Sequence, residues 1–253
     1  MDRIVYTAMN GAARTLEHQA ALSNNMANVN TPGFREQLAI YRSVPLVGGG
    51  VSPTRVATAA STPGSNFQPG PLQTTGREMD VAVAGNGWLA VRTPEGEAYT
   101  RAGNLHVGTN GLLQTAQGLP VLSADNAPIA VPEQATLTFA SDGAITALGA
   151  GDPPNDILML GQLKLVDPGN ASLVRGDDGL FRTAGQGGQA GVPLQQAPGV
   201  RIVSGALESS NVSAAETMVG LINNARRFEM QMKVVQHADQ NAQRANSILS
   251  VNG

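Results

Sequence analysis

The chain has 253 residues, a formal net charge of -3, no cysteine and a charged fraction of only 14%, low for a soluble domain. The missing cysteines exclude disulfides, thiolate zinc sites and cysteine nucleophiles, and basic residues scattered in runs no longer than Arg226 and Arg227 leave no electrostatic footprint for nucleic acid. No apolar run approaches the roughly 20 residues that cross a bilayer, and the start, MDRIVYTAMNGAARTLEHQ, lacks the apolar core and cleavage site of a secretory signal, so a membrane-embedded chain is not expected.

Residues 3 to 29 carry apolar side chains at Val5, Ala8, Ala12, Leu22, Met26 and Val29, in alternating steps of 3 and 4 with two gaps, Thr15 and Gln19. Met9 and Leu16 lie beside that stripe. The spacing predicts an amphipathic helix, stopped by Thr31, Pro32 and Gly33. Its end, SNNMANVNTPGFR, places Asn24, Asn25, Asn28 and Asn30 within seven positions, although asparagine is a poor helix former. Such amides either cap the last carbonyls or, because each donates and accepts, sit at packed contacts between helices. The second reading makes all four interface residues, together with Leu22, Met26 and Val29.

Residues 36 to 78 read as an extended connector, since the stretch 43 to 76 holds one charge, Arg55, among repeated Pro and Gly. From 79 to 207 short β-like runs follow: MDVAVA from 79, WLAVR from 88, AYTR from 98, LLQT from 112, ATLTFA from 135, DILML from 156 and LKLV from 163. Turn signals separate them at Pro94 to Gly96, Asn110 with Gly111, Asp142 with Gly143 and Asp178 with Gly179, which predicts an antiparallel β domain.

Ser213 with Glu216 fits a capping box, and Met218, Leu221, Ala225, Phe228, Met232, Val235, Ala238, Ala242, Ala245 and Leu249 then recur at steps of 3 and 4. A helix of this length spans on the order of 55 Å at 1.5 Å per residue. Two stripes of one period can bury each other. The expected class is therefore α+β: terminal helices in segments 1–35 and 208–253 paired as a coiled coil, a connector over 36–78, and a central antiparallel β domain over 79–207. Met218, Leu221, Phe228, Met232 and Val235 are the expected interface positions on the second helix. Arg226 and Arg227, clustered with Glu229 and Lys233, form either a solvated face or a contact.

Little in the chain points to chemistry. Gly85, Asn86, Gly87, Trp88, Leu89 and Ala90 fit the dinucleotide fingerprint G-x-G-x-x-A, but WLAVRTPEGEAYTR follows with β pattern where a helix is needed, so Gly85 and Gly87 read as turn residues. His18, His106 and His237 lie in separate segments, and no G-x-S-x-G elbow is present. Glu95, Glu97, Asp142, Asp152, Asp156, Asp177 and Asp178 could supply paired carboxylates for glycoside hydrolysis, yet most sit in turn contexts. No loop matches a calcium pattern. The expectation is no enzyme, no cofactor and no metal.

The asparagine-rich stretch resembles the N-terminal motif of the flagellar axial proteins, the rod and hook family of bacterial flagella. That motif, N-N-x-A-N-x-N-T-x-G-F-[KR], is met at Asn24, Asn25, Ala27, Asn28, Asn30, Thr31, Gly33, Phe34 and Arg35, with Pro32 inside it. Residues 85 to 122 resemble the family's core β segment, G-x-G-F-F, a turn, Y-T-R-x-G and a G-x-L hairpin, with Trp88 and Leu89 where paired aromatics are common. GALESSNVSAAETMVGLINNARRFEMQMK, residues 205 to 233, is similar to the family's Leu-Glu-x-Ser-Asn-Val motif and following long helix, which brings in Asn211. Residues 125 to 200 rest on β pattern alone.

MDRIVYTAMNGA and ARRFEMQMK look most like proximal rod members. The resemblance implies a structural subunit of the basal-body rod that polymerises through its terminal helices into the tubular, torque-transmitting axial structure. Its implied partners are other rod subunits and the flagellar export apparatus, and its implied location is the periplasm-spanning rod, reached without a cleaved signal peptide. The alternatives are a distal-rod or hook-type sibling, a cell-wall glycan hydrolase, and a coiled-coil adaptor with a β binding module.

Overall fold

The computed structural model describes residues 2–45, 56–60, 64–149, 153, 156–169, 172–185 and 191–250; connector residues 46–55 and 61–63, and the candidate Asp152, lie outside them. Among the described residues the chain is α+β, with two long helices, one near each end, and antiparallel strands between. It divides into two units.

The first unit comprises Met1–Val29, Glu36–Asn66 and Val212–Gly253. The 3-and-4 spacing yields α1 (Asp2–Ala27), and four short strands follow: β1 (Gln37–Leu38), β2 (Tyr41–Pro45), β3 (Val56–Ala60) and β4 (Gly64–Ser65). β1 pairs with β4 and β2 with β3, both antiparallel. The second helix, α2 (Ala214–Ser250), starts on Ser213, whose Oγ accepts the Glu216 amide at 3.4 Å while its carbonyl accepts that of Thr217 at 3.0 Å. α1 and α2 run antiparallel and close: a Cβ on Gly220 would lie 3.2 Å from Leu22, and one on Gly11 2.9 Å from Gln231.

The second unit comprises Asn30–Arg35 and Phe67–Asn211. Its strands are β5 (Leu72–Thr74), β6 (Val81–Val83), β7 (Trp88–Thr93), β8 (Gly96–Thr100), β9 (Leu105–Val107), β10 (Leu113–Thr115), β11 (Thr136–Phe139), β12 (Ala144–Leu148), β13 (Leu158–Gln162), β14 (Leu165–Val166), β15 (Leu173–Arg175), β16 (Phe181–Thr183), β17 (Ile202–Ser204) and β18 (Ala206–Glu208). The largest sheet has the order β14-β7-β8-β16-β15, beside a three-stranded sheet β11-β12-β13 and ladders β9-β10, β6-β17 and β5-β18. Every pairing is antiparallel.

Strand β7 explains how the core is organised. Side chains alternate across a strand, so Leu89 and Val91 enter one apolar cluster with Val81, Leu105, Leu113 and Ile145, while Trp88 and Ala90 enter another with Tyr99 and Phe181. The sheet is thus covered on both faces. Gly85, at φ +65°, and Gly87, where a Cβ would meet Val200 at 2.2 Å, form the turn into this strand, so a strand and not a helix follows GNGWLA.

The β5-β18 and β6-β17 ladders bring the chain's entry to this unit alongside its exit. Gly33 belongs to the same junction: its amide donates to the Glu208 carbonyl at 2.7 Å, its φ is +69°, and a Cβ there would stand 2.3 Å from the Arg101 backbone. No other residue fits. Gly33→Ala is expected to cost about 3 kcal/mol or more in urea unfolding. Gly76→Ala, at φ +73° with open space around it, is expected to cost only the intrinsic left-handed penalty of about 1–2 kcal/mol.

Candidate functional site

The helix pair is the first place to seek function, because its seam is not the one that apolar periodicity suggests. On α2 the covered positions are Thr217, Leu221, Asn224, Phe228, Gln231, Val235, Ala238, Ala242 and Ala245, in unbroken steps of 4 and 3. Met218, Ala225 and Met232, counted above with that stripe, are exposed. The difference has a physical cause: Thr217, Asn224 and Gln231 occupy one heptad position in the seam, and their polarity hides it from a search for oily residues.

Asn224 and Gln231 face polar groups of α1, while the Thr217 hydroxyl donates back to the Ser213 carbonyl at 2.8 Å. Asn224, 4% exposed, donates through Nδ2 to the Thr15 carbonyl and to Gln19 Oε1, both at 2.8 Å, and its Oδ1 lies 3.2 Å from His18 Nδ1. The Thr15 hydroxyl stands 2.9 Å from the Gly11 carbonyl and 3.1 Å from Gln231 Oε1. The two gaps in the α1 stripe, Thr15 and Gln19, are therefore the partners of the polar α2 positions. A hydrogen-bonded cluster inside a helix seam fixes register, because any slip strands its members without partners.

The four asparagines separate into different roles. Asn25 is 1% exposed; its Nδ2 donates to the Gln37 carbonyl at 3.0 Å and its Oδ1 accepts the Gln37 amide at 2.8 Å, so one side chain imitates a strand partner for β1. Asn28 donates through Nδ2 to the Asn24 carbonyl at 2.9 Å, closing the last turn of α1. Asn24 and Asn30 are exposed. Leu22, Met26 and Val29 are half-buried, as are Leu221, Phe228 and Val235, whereas Arg226, Arg227, Ser213 and Glu216 are exposed.

In the β unit the motif residues meet around a carboxylate. Glu208 is 1% exposed; Arg35 reaches its Oε1 at 2.6 Å, Arg101 its Oε2 at 2.9 Å, and the Gly70 amide its Oε1 at 2.8 Å. Arg101 also donates to the carbonyls of Val83 and Gly85. Both guanidinium groups lie over Trp88, at 5.7 Å for Arg35 and 5.3 Å for Arg101, within cation–π range. Burial pushes Arg101 below the usual guanidinium range, Arg35 adds to that, and Glu208 opposes it. Phe34 lies under the Arg175 guanidinium at 4.3 Å, and Asn211 donates its amide to the Phe34 carbonyl and its Nδ2 to the Gln68 carbonyl. Pro32 is half-buried.

The residues considered for catalysis do not converge. Glu97 pairs with Lys164 at 2.8 Å, Asp178 with Arg182 at 2.6 Å, and Asp142 holds its own turn through the Ala144 amide. His106 lines an open cleft with Arg77, Asp80 and Asn104, and His237 is exposed on α2. Among the described residues no group of three His, Asp or Glu is placed to hold a metal, and no helix is long and apolar enough to cross a membrane.

Three family models match the sequence: "Flagella basal body rod protein" over residues 5–35, "Flagellar hook protein FlgE/F/G D1 domain" over 82–147, and "Flagellar basal body rod FlgEFG protein C-terminal" over 203–248. The flagellar basal-body rod protein FlgF of Salmonella typhimurium is 49% identical over 253 residues, covering 99% of this chain and 100% of that one. Its namesake in Escherichia coli K12 is likewise 49% identical, over the same shares. The flagellar basal-body rod protein FlgG of Borreliella burgdorferi is 31% identical over 270 residues, covering 98% and 99%.

Two stability tests follow from this geometry. Asn224→Ala removes the bonds to the Thr15 carbonyl and to Gln19 Oε1 from a buried place in the seam and should cost about 1–3 kcal/mol, read from the helical signal in thermal unfolding. Glu208→Gln keeps the shape but leaves two buried guanidinium groups without a counter-charge; about 3–5 kcal/mol is expected, measured by denaturant unfolding followed through Trp88 fluorescence.

Proposed function

The chain belongs to the flagellar basal-body rod protein family and is a structural subunit of the rod, not an enzyme, and we propose that it polymerises into the tubular axial structure through its two terminal helices. The observation that carries this reading is the seam: α1 and α2 are held in one register by Asn224, Thr15, Gln19 and Gln231, so each subunit presents its helices to neighbours as a prealigned pair. A coiled-coil pairing over segments 1–35 and 208–253 forms the inner wall of the tube; the connector of 36–78 and the β domain of 79–207 make up the rest of the subunit.

The protein works in the flagellar basal body. We assign it to the proximal part of the rod, because its identity to the FlgF proteins of Salmonella typhimurium and Escherichia coli, 49%, exceeds its 31% identity to the FlgG relative. Other rod subunits are its partners there, torque passes through them, and the chain reaches the rod through the flagellar export apparatus. The interface includes the exposed motif residues Asn24 and Asn30 and the basic pair Arg226 and Arg227. Asn25 and Asn28 support it from within by fixing the end of α1.

Asn24 and Asn30 test the reading because their side chains are exposed in the subunit. The double variant Asn24→Ala, Asn30→Ala is expected to melt within about 0.5 kcal/mol of the parent, yet to be depleted several-fold from purified basal bodies. Normal incorporation would reject a contact role for the motif. Cryo-electron microscopy of the same basal bodies locates the chain, and density at the distal rod or hook would replace the proximal assignment.

A further inference from the structure

We infer that the helix pair carries two different exposed apolar faces that fit each other, so that successive copies of this chain stack face to opposite face. The inference rests on the rod-subunit reading and specifies the surfaces through which it operates.

The first face is a second heptad stripe on each helix, one residue beyond the seam. On α1 it runs Tyr6, Met9, Ala13, Leu16 and Ala20, in steps of 3, 4, 3 and 4, all exposed, with Tyr6 at 73% and Met9 and Leu16 each at 56%. On α2 it runs Met218, Ile222, Ala225, Glu229 and Met232, in steps of 4, 3, 4 and 3, likewise exposed. A shift of one residue turns a side chain by about 100° around its helix. In two antiparallel helices seen from one end that turn is clockwise on one and anticlockwise on the other, so both stripes come to the same side of the pair. They form one apolar face two helices wide, continuous with the seam between α1 and α2.

The second face lies on α2 alone. Val219, Met230 and Val234, exposed at 57%, 59% and 43%, are separated by 11 and 4 residues, close to whole turns of a helix with 3.6 residues per turn. This ridge lies more than a quarter-turn further round α2, away from the first face. Arg226 and Arg227 flank it and are exposed.

The spacings identify the occupant. A face with two parallel rows at steps of 3 and 4 offers the holes into which the knobs of a helix fit, and Val219, Met230 and Val234 are such knobs. Glu229, the one charged step in the first face, is matched by Arg226 and Arg227 beside the ridge. Because the two faces differ and lie on different sides, the contact between copies is heterologous and does not close on itself, which is what builds a filament instead of a dimer.

The chain has no cysteine, so single introduced cysteines report contacts cleanly. Cells carrying Met9→Cys together with Met230→Cys are grown, basal bodies are purified, and a short bismaleimide is applied. The expected result is a ladder of this chain cross-linked to itself, lost when either cysteine is omitted. Leu221→Cys, within the seam, serves as a control and should give no ladder. Glu229→Arg should lower incorporation at least threefold, and adding Arg226→Glu and Arg227→Glu should restore at least half of it. Normal incorporation of Met9→Cys, Met230→Cys without a self ladder, or with cross-links only to another protein, overturns the stacking while leaving the rod assignment intact. Absence of the parent chain from basal bodies overturns the rod assignment itself.

Discussion

A carboxylate sealed from water holds the β unit together. Glu208 lies between Arg35 and Arg101 with all three side chains at most 1% exposed. Removing such charges from water costs several kcal/mol each, and one carboxylate against two guanidinium groups leaves a positive surplus. The Trp88 ring and the carbonyls of Val83 and Gly85 offset part of it, while the Gly70 amide steadies the carboxylate. What this arrangement secures is uniqueness: Arg35 comes from the first passage of chain through the unit, Arg101 from the turn after β8, and Glu208 from the end of β18. Only one arrangement of these three segments pairs all the charges, and Gly33 lies against the same place because no side chain could.

The helix unit obeys the same logic with neutral groups. An all-apolar seam would be more adhesive and less particular, since leucines tolerate a slip of one heptad at small cost. Thr15, Gln19, Asn224 and Gln231 remove that freedom. Asn25 extends the control to the connector by bonding both backbone groups of Gln37, so the end of α1 and the start of β1 have one relation. Apolar residues remain in quantity on these helices, but many of the largest point away from the seam.

Much of this could be read in the chain. The helix pattern of residues 3 to 29, the cap at Ser213, the strand beginning at Trp88 and the turn at Gly85 to Gly87 all follow from local rules, and each element stands where periodicity or turn chemistry puts it. The true seam of α2 was hidden because periodicity reasoning selects oily residues, while half of the heptad is filled by Thr217, Asn224 and Gln231. A cue did exist: Thr15 and Gln19 interrupted the α1 stripe at the steps where a partner of matching polarity was required. The Glu208 cluster was hidden for another reason. Arg35, Arg101 and Glu208 each sit inside a recognisable motif, but ion pairing over 107 and more positions leaves no trace in local spacing. The asparagines were legible only in outline, since capping and contact both call for the same side chain.

A seam that sets amides and hydroxyls among its apolar side chains also behaves differently when it opens. Each bond given up by Asn224 or Thr15 is replaced by one to water, so those steps part at less cost than leucines in the same places would, while Leu221, Phe228 and Val235 still resist. Once parted, the two helices rejoin in one alignment, because the same four polar side chains must find one another again.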